Sequence, residues 1–175
     1  MTPPSGPCGV SLRRLAPPEA GLHRDVRLRA LRESPAAFGE SFADAAARPL
    51  DYWEALTRSV TAPSAQVMLL ACHGDHVLGS AYGLLDRTRP AAGRVGGMWV
   101  DPAWRRRGVG RTLLEGVIEW AGQRGLATLG LWAPAHSPAA IALYASAGFR
   151  ETGERRPIPT DPSRWIVAME RRSPR

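Results

Sequence analysis

The sequence contains no lysine, and all 23 of its Lys and Arg positions are arginine. A P-loop nucleoside triphosphatase needs a lysine that reaches the phosphates of its nucleotide, and the three-glycine fingerprint of NAD enzymes is missing as well. These two absences argue against both classes of nucleotide-binding protein.

Cysteine is also scarce. Cys8 and Cys72 are the two cysteines, and they lie far apart in the sequence. This pattern suggests neither a disulfide framework nor a zinc site, so we expect no metal.

Long apolar runs are missing too. No run reaches the roughly 18 residues that a membrane span needs. The first thirty residues combine prolines and arginines with an apolar stretch that is too short for a signal peptide. We therefore expect a cytoplasmic protein with no membrane partner.

The charge is strongly positive, with a formal net charge of +7 and a pI near 10.8. A basic surface attracts polyanions such as nucleic acid, or a phosphorylated cofactor. The arginines are scattered along the chain, except for the cluster Arg105, Arg106 and Arg107, and no nucleic-acid-binding motif accompanies them. The sequence therefore favours a phosphorylated ligand and no nucleic acid.

The length of 175 residues predicts a single domain, which we place at residues 8–172 between flexible ends at 1–7 and 173–175. Hydrophobic periodicity predicts the order β-α-α-β-β-β-α-β-α-β-β, a mixed α/β sheet. The clearest helix covers residues 108–124, whereas residues 36–48 are expected to be a loop or a broken helix. The last two strands are predicted at 149–155 and 165–170, joined by a proline-rich loop.

Residues 98–111 form the most informative segment. A strand leads into a turn with two glycines, Gly108 and Gly110, and then directly into the helix. Backbone N–H groups converge at such a helix N-terminus, where the helix dipole also favours an anion. Without a Cβ, the glycines let the backbone approach a ligand closely, and the arginines add positive charge at the rim. The segment therefore predicts a site for a diphosphate.

At these residues the sequence resembles the GNAT superfamily of acyl-CoA-dependent N-acetyltransferases. The diphosphate loop of that family matches R-R-R-G-V-G at residues 105–110. Its second signature matches the strand L-W-A at 131–133, Ser137, the pair L-Y at 143–144 and the closing G-F at 148–149. The resemblance extends over nearly the whole chain, from Val10 to Glu170.

The resemblance implies a single-domain GNAT-like fold, with a mostly antiparallel sheet flanked by about four helices. It implies acetyl-CoA as co-substrate and no metal. Ser137 stands where the family commonly has an Asn that contacts the pantetheine arm, and a serine hydroxyl can supply a shorter hydrogen bond. The pair Gly96 and Gly97 predicts a bulge in its strand, beside which the cofactor arm binds in β-fashion. The predicted cofactor-binding residues are Met98, Val100, Arg105, Arg106, Arg107, Gly108, Val109, Gly110, Arg111, Thr112 and Ser137.

The resemblance also implies the catalytic groups. Tyr144 occupies the position of the general acid that protonates the departing thiolate, and a phenol is a plausible donor for that step. For the base we select Glu40, with Asp44 and His136 as alternatives, and a water chain can serve instead. The Phe38 loop and Trp53 are candidates for the wall of the acceptor pocket.

The sequence therefore predicts transfer of an acetyl group from acetyl-CoA to a primary amine by direct attack in a ternary complex. Neither motif contains a cysteine, so a covalent acetyl-enzyme is not indicated. The alternatives are a noncatalytic acyl-CoA-binding regulator on the same fold and a basic nucleic-acid-binding protein. Small-molecule amines and peptide amines are both possible acceptors, and the family implies a homodimer.

Overall fold

The computed structural model describes residues 9–62 and 66–173. Cys8 and the ends at residues 1–7 and 174–175 lie outside the described residues. The helices and strands, in chain order, are β1 (Ser11–Arg14), α1 (Ala20–Glu33), α2 (Phe42–Ala47), α3 (Leu50–Thr61), β2 (Gln66–His73), β3 (His76–Leu85), β4 (Ala92–Val100), α4 (Val109–Gln123), β5 (Thr128–Pro134), α5 (Pro138–Ser146), β6 (Arg150–Ile158) and β7 (Asp161–Arg172).

The seven strands form one sheet in the order β1-β2-β3-β4-β5-β7-β6. Every neighbouring pair is antiparallel except β4 and β5, which are parallel. The predicted mixed and mostly antiparallel fold is therefore confirmed. Within the described ranges, no helix is both long enough and apolar enough to cross a membrane.

Helices cover both faces of the sheet. Helix α4 packs one apolar side against β2, β3 and β4, with Leu113, Leu114 and Val117 completely buried. On the opposite face, α1 and α3 pack together over β2 and β3 around Leu31 and Trp53. Burial of each such side chain stabilises the fold by about 1.5–3 kcal/mol. The two cores pack against opposite faces of the sheet and hold its strands in place.

Helix α2 is an addition to the predicted order. It lies inside the segment that the sequence assigns to a loop or broken helix. Ser41 caps it, because its hydroxyl accepts the N–H of Asp44 at 3.0 Å. The hydroxyl also donates to the Asp44 carboxylate at 2.6 Å. This pair of hydrogen bonds gives one N–H group in the first turn of α2 an acceptor. The helix has six residues, which is too short to show a clear apolar periodicity in the sequence.

The last two strands are longer than predicted, and the expected proline-rich loop is a tight turn. Strand β6 continues to Ile158 and β7 begins at Asp161, so only Pro159 and Thr160 join them. Pro157 pairs with Trp165 on the edge strand, where a residue without an N–H costs no ladder hydrogen bond. The prolines therefore mark a sheet edge rather than a loop.

Strands β4 and β5 separate soon after they meet. Their register joins Ala92 to Thr128 and Arg94 to Gly130, and no pair follows in the described sheet. Beyond these positions β4 continues to Val100 and β5 to Pro134 without partners across the gap. The gap between the two strands forms a cleft that opens at their carboxyl ends.

Candidate active site

A bulge in β4 turns the strand away from β5. Ser80 pairs with Trp99, but Tyr82 pairs with Gly96, so Gly97 and Met98 together face the single residue between them on β3. Gly97 has φ +54°, and a Cβ there would lie 2.3 Å from Cδ2 of Tyr82. Only glycine fits this position. The predicted bulge is therefore present, with Gly97 and Met98 opposite a single residue of β3.

The cleft has a volume of about 970 Å³. It is bounded by β4, the turn before α4, β5, α5 and the segment after α1. Most of the predicted site residues line it, but Arg107, Val109, Thr112 and Glu40 do not. The predicted residues in its wall are Met98, Val100, Arg105, Arg106, Gly108, Gly110, Arg111, Ser137 and Tyr144.

The turn before α4 presents backbone donors to the cleft. Gly108 caps the helix with φ +83°, and its carbonyl accepts the N–H of Thr112 at 3.0 Å. The N–H groups of Val109, Gly110 and Arg111 precede the first intrahelical bond and so have no acceptor within the helix. They meet the positive end of the helix dipole there, which is the arrangement that an anion site requires, and the role of the turn as a diphosphate site stays a prediction.

The arginines of the turn have different partners. Arg105 turns away from the turn: its Nε donates to the Val100 carbonyl at 3.0 Å, and its Nη2 forms a short ion pair with Glu33. Arg107 lies over the ring of Trp104, with Cζ 5.3 Å from the ring centroid. Arg106 lines the cleft with φ +58°. The guanidinium of Arg105 therefore fixes α1 against β4, and Arg106 remains as the charge at the rim.

Glu33 is the partner that the sequence analysis missed. Burial alone would raise the pKa of its carboxyl, but hydrogen bonds from Ser34 and Trp99, together with the charge of Arg105, lower it. The Trp99 Nε1 donates to Glu33 at 3.1 Å. Glu33 is therefore held as a charged acceptor, and its Oε2 accepts the hydrogen bonds from Ser34, Trp99 and Arg105 at the cleft wall.

Tyr144 lies in the wall formed by α5. The residue is 6% exposed, and its ring packs edge-on against Phe149 with centroids 6.2 Å apart. Burial raises the pKa of Tyr144 to about 12, so the hydroxyl keeps its proton at neutral pH. Within the part of the chain that the structure describes, this hydroxyl has no hydrogen-bond partner. It is therefore a protonated donor available to a group in the cleft.

Ser137 and His136 stand where β5 meets α5. The Ser137 hydroxyl caps α5 by accepting the N–H of Ala140 at 3.4 Å, which leaves its own proton free to donate. His136 is exposed at the cleft mouth. Both residues are thus close enough to meet a ligand in the cleft.

The structure does not bring Glu40 and Asp44 into the cleft. The Glu40 carboxylate forms ion pairs with Arg27 at 2.8 Å and with Arg48 at 2.7 Å. The Asp44 carboxylate binds the Ser41 hydroxyl at the start of α2. Both carboxylates organise the segment around α2, and the role of Glu40 as a base stays a prediction.

A buried polar network of three side chains lies behind the bulge. His23 on α1 is fully buried; its Nδ1 lies 2.9 Å from the Thr57 hydroxyl and its Nε2 lies 2.6 Å from the Tyr82 hydroxyl. Trp53, a candidate for the acceptor wall, packs edge-on against this imidazole inside the core. The Tyr82 ring lies directly under Gly97, so the network supports the bulge from below.

The buried histidine predicts an acid-sensitive fold. Burial, helped by the charge of Arg27, lowers the pKa of His23 to about 4, against about 6.5 in an unfolded chain. Between these two values the unfolded state binds a proton that the folded state refuses, so stability falls as the pH drops. The imidazole should lower the free energy of unfolding by about 2.5 kcal/mol between pH 7 and pH 4.5.

Denaturant unfolding at the two pH values measures this effect, with His23→Gln as the comparison. Glutamine keeps hydrogen-bonding groups near Thr57 and Tyr82 but does not titrate. The variant should lose about 2.5 kcal/mol less than the parent over this interval. Equal losses in the two proteins would contradict a neutral buried His23.

The sheet splits beside a bulge, a helix N-terminus lies at one end of the gap, and a buried tyrosine lies in its wall. This arrangement is typical of the acyl-CoA-dependent transferases that the sequence resembles. The chain belongs to the acetyltransferase (GNAT) family, whose model matches residues 28–149. The comparisons with individual proteins agree with this assignment.

A segment of 57 residues is 53% identical to the [ribosomal protein bS18]-alanine N-acetyltransferase of Escherichia coli K12, covering 33% of this chain and 38% of that enzyme. A mycothiol acetyltransferase of Thermobispora bispora is 33% identical over 133 residues, which cover 73% of this chain and 42% of that protein. The matches thus span less than half the length of these curated relatives. A GNAT-family acetyltransferase from Streptococcus pneumoniae shares the fold, with a TM-score of 0.77, 22% identity and coverage of 94% and 99% of the two chains.

Proposed function

We propose that the chain transfers the acetyl group of acetyl-CoA to a primary amine by direct attack in a ternary complex. The observation that carries this proposal is the buried, protonated Tyr144 hydroxyl in the wall of a cleft that begins at a free helix N-terminus. A diphosphate at the start of α4 and a thioester near Tyr144 would lie at two points of the same cleft.

The residues present fit the co-substrate. The N–H groups of Val109, Gly110 and Arg111 would hold the diphosphate of CoA. The amide-bearing arm would then follow the unpaired edge of β4. The N–H of Asp101 bonds to β3, and successive backbone groups alternate in direction, so the N–H of Val100 faces the gap. The Val100 carbonyl already accepts a hydrogen bond from Arg105, so the N–H of Val100 is the better partner for the cofactor arm.

The reaction needs a proton donor for the leaving thiolate, and Tyr144 is the proposed donor. The amine nitrogen attacks the thioester carbonyl carbon, the carbon–sulfur bond breaks, and the electron pair leaves on sulfur. Tyr144 donates its proton to this thiolate, and the proton lost by the amine restores the phenol. The lowered pKa of Glu33 makes it a weak base, and Glu40 is paired outside the cleft, so water is the proposed carrier of the amine proton.

The identity of the acceptor belongs to this proposal as well. The Escherichia coli relative acetylates a protein alanine by its name. We propose a peptide amine for this chain, with small-molecule amines as the alternative. The cytoplasmic location, the domain limits and the homodimer remain predictions from the sequence.

Two other functions are compatible with a basic chain of this fold. A noncatalytic acyl-CoA-binding regulator would use the same cleft, but it would not need the buried donor Tyr144. A nucleic-acid-binding protein would use the arginines, but several of these have partners within the protein, such as Glu33 for Arg105. Neither alternative is favoured by a specific feature of the cleft.

The decisive experiment incubates the protein with acetyl-CoA and a panel of peptide and small-molecule amines. Thiol release measures turnover, and mass spectrometry identifies the acetylated product. Calorimetry with acetyl-CoA is run in parallel. We expect saturable binding together with thiol release that depends on the amine. Tight binding of acetyl-CoA without transfer to any amine would favour the regulator instead.

A further inference from the structure

One face of the sheet is open beside the cleft. Paired residues in a sheet point to the same face, so the register identifies the side chains that share it. Helices α1 and α3 cover this face over β2 and β3, whereas β5, β7 and β6 extend beyond them. The segment 35–38 after α1 reaches β5 and the turn between β6 and β7, where the Thr160 hydroxyl donates to the Phe38 carbonyl at 2.9 Å. We call this region the open face; its members are Arg94, Gly130, Trp132, Pro134, Ile166, Ala168, Glu170, Arg150 and Arg156. Gly130 and Ile166 are buried, whereas the three arginines are exposed.

The open face carries unpaired positive charge. The Glu170 carboxylate is engaged, because Arg89 reaches across Gly130 to pair with it at 2.7 Å. In contrast, Arg94, Arg150 and Arg156 form no ion pair with any residue in the described ranges. Three guanidinium groups therefore surround a surface on which the one carboxylate is already neutralised.

Trp132 links this surface to the cleft. Its indole forms part of the cleft wall, and the Arg156 guanidinium lies over it with Cζ 4.0 Å from the ring centroid. A guanidinium stacked on an aromatic ring keeps its in-plane N–H donors free, and these donors match a carboxylate well. Arg156 is thus held in position for an anion at the wall of the cleft.

The described residues of the cleft wall offer no unpaired negative charge to attract a polycation. Among the described residues of its wall, Glu33 is the only carboxylate, and it already accepts hydrogen bonds from Ser34, Trp99 and Arg105. A polyamine or aminoglycoside would meet arginines without a compensating anion. The charges therefore favour an acceptor whose amine is followed by acidic groups.

The dimensions of the open face favour a peptide over a single amino acid. Neighbouring strands lie about 4.8 Å apart, so the face extends about 10 Å from β5 across β7 to β6. Arg94 lies on the other side of Trp132. It precedes Gly96 by two residues, so these two residues are about 7 Å apart along β4. An extended peptide advances about 3.3 Å per residue, so its second to fourth residues reach these arginines.

We propose that the acceptor is the N-terminal amine of a peptide with Asp or Glu at its second to fourth positions, bound across the open face. This inference rests on the proposed function, because it assigns the acceptor of the same cleft. The amine would lie beside the thioester, and the acidic side chains would meet Arg156 and Arg94.

The test uses three peptides of equal length that begin with alanine and continue with three acidic, three neutral or three lysine residues. The rate of thiol release gives kcat/KM for each. Fluorescence anisotropy of labelled peptides, measured with CoA present, gives binding without any requirement for transfer. The variants are Arg156→Glu and Arg94→Glu, with Arg14→Glu on β1 as the control that makes the same charge change at the far edge of the sheet.

We expect the acidic peptide to exceed the lysine peptide by at least about tenfold in both measurements, and the difference to shrink as salt rises. Each variant on the open face should remove most of this preference, and Arg14→Glu should leave it intact. Acidic peptides that bind selectively without being acetylated would overturn the inference, whereas thiol release with another amine of the panel would leave the proposed function intact. Equal or better use of the lysine peptide, or a preference that survives both variants, would overturn the inference.

Discussion

Replacing Tyr144 by phenylalanine should slow the chemical step of acetyl transfer by about 10²–10⁴-fold, the usual contribution of a positioned general acid. The substitution removes only the hydroxyl and keeps the ring that packs against Phe149. Because the hydroxyl has no partner among the described residues, stability should change by no more than about 1 kcal/mol. Affinity for acetyl-CoA should stay nearly constant.

This prediction needs a measurement that separates chemistry from product release. A slow departure of CoA would hide a defect in the transfer step, so pre-steady-state transfer is followed in a rapid-mixing instrument. Tyr52→Phe is the matched control, since its hydroxyl bonds to Arg48 outside the cleft. Equally fast transfer by the Tyr144→Phe variant and its parent would reduce Tyr144 to a packing residue.

Replacing Gly108 by valine should weaken acetyl-CoA binding by about 100-fold. The branched side chain would stand at the cap of α4, between the helix N-terminus and the diphosphate, and would remove two charge-assisted hydrogen bonds at ~1.5 kcal/mol each. Gly108 also has φ +83°, where an L-residue is strained, so stability should fall by about 1–2 kcal/mol.

Calorimetry measures the loss of affinity, and a second variant removes the effect of strain. Gly125 follows the other end of α4 with φ +65°, and a Cβ there would meet nothing within 4 Å. Gly125→Val therefore adds similar strain far from the cleft. It should lose similar stability and bind acetyl-CoA normally. Parental affinity in Gly108→Val would exclude the turn from the diphosphate site.

The sequence predicts best what a continuous segment determines. The strand, glycine turn and helix around Gly108 are contiguous, so their chemistry can be recognised before folding. The bulge at Gly97 follows from two adjacent glycines for the same reason. Tyr144 is placed by its own helix. These features together predict the cleft and most of its wall.

The missed features depend on residues that are distant in sequence. Glu33 meets Arg105 only because α1 packs beside β4, and His23 meets Tyr82 across two layers of the fold. No local pattern announces either contact. Glu40 was selected as a base because of the position of its loop in the sequence. The sequence does not show that Arg27 and Arg48 form ion pairs with its carboxylate in the folded protein.

The early separation of β4 and β5 has a thermodynamic consequence. Among the described residues, only 92–94 of β4 pair with β5. Beyond them the Val100 carbonyl accepts from Arg105, and the other backbone groups on the two facing edges lack a strand partner and depend on solvent for their hydrogen bonds. A molecule with amide groups along its length can replace that solvent and act as a missing strand of the sheet. Binding and folding are then linked, because a ligand that joins only the folded sheet raises the free energy of unfolding by mass action. The fraction of chains that stay folded would therefore follow the supply of the acyl donor itself.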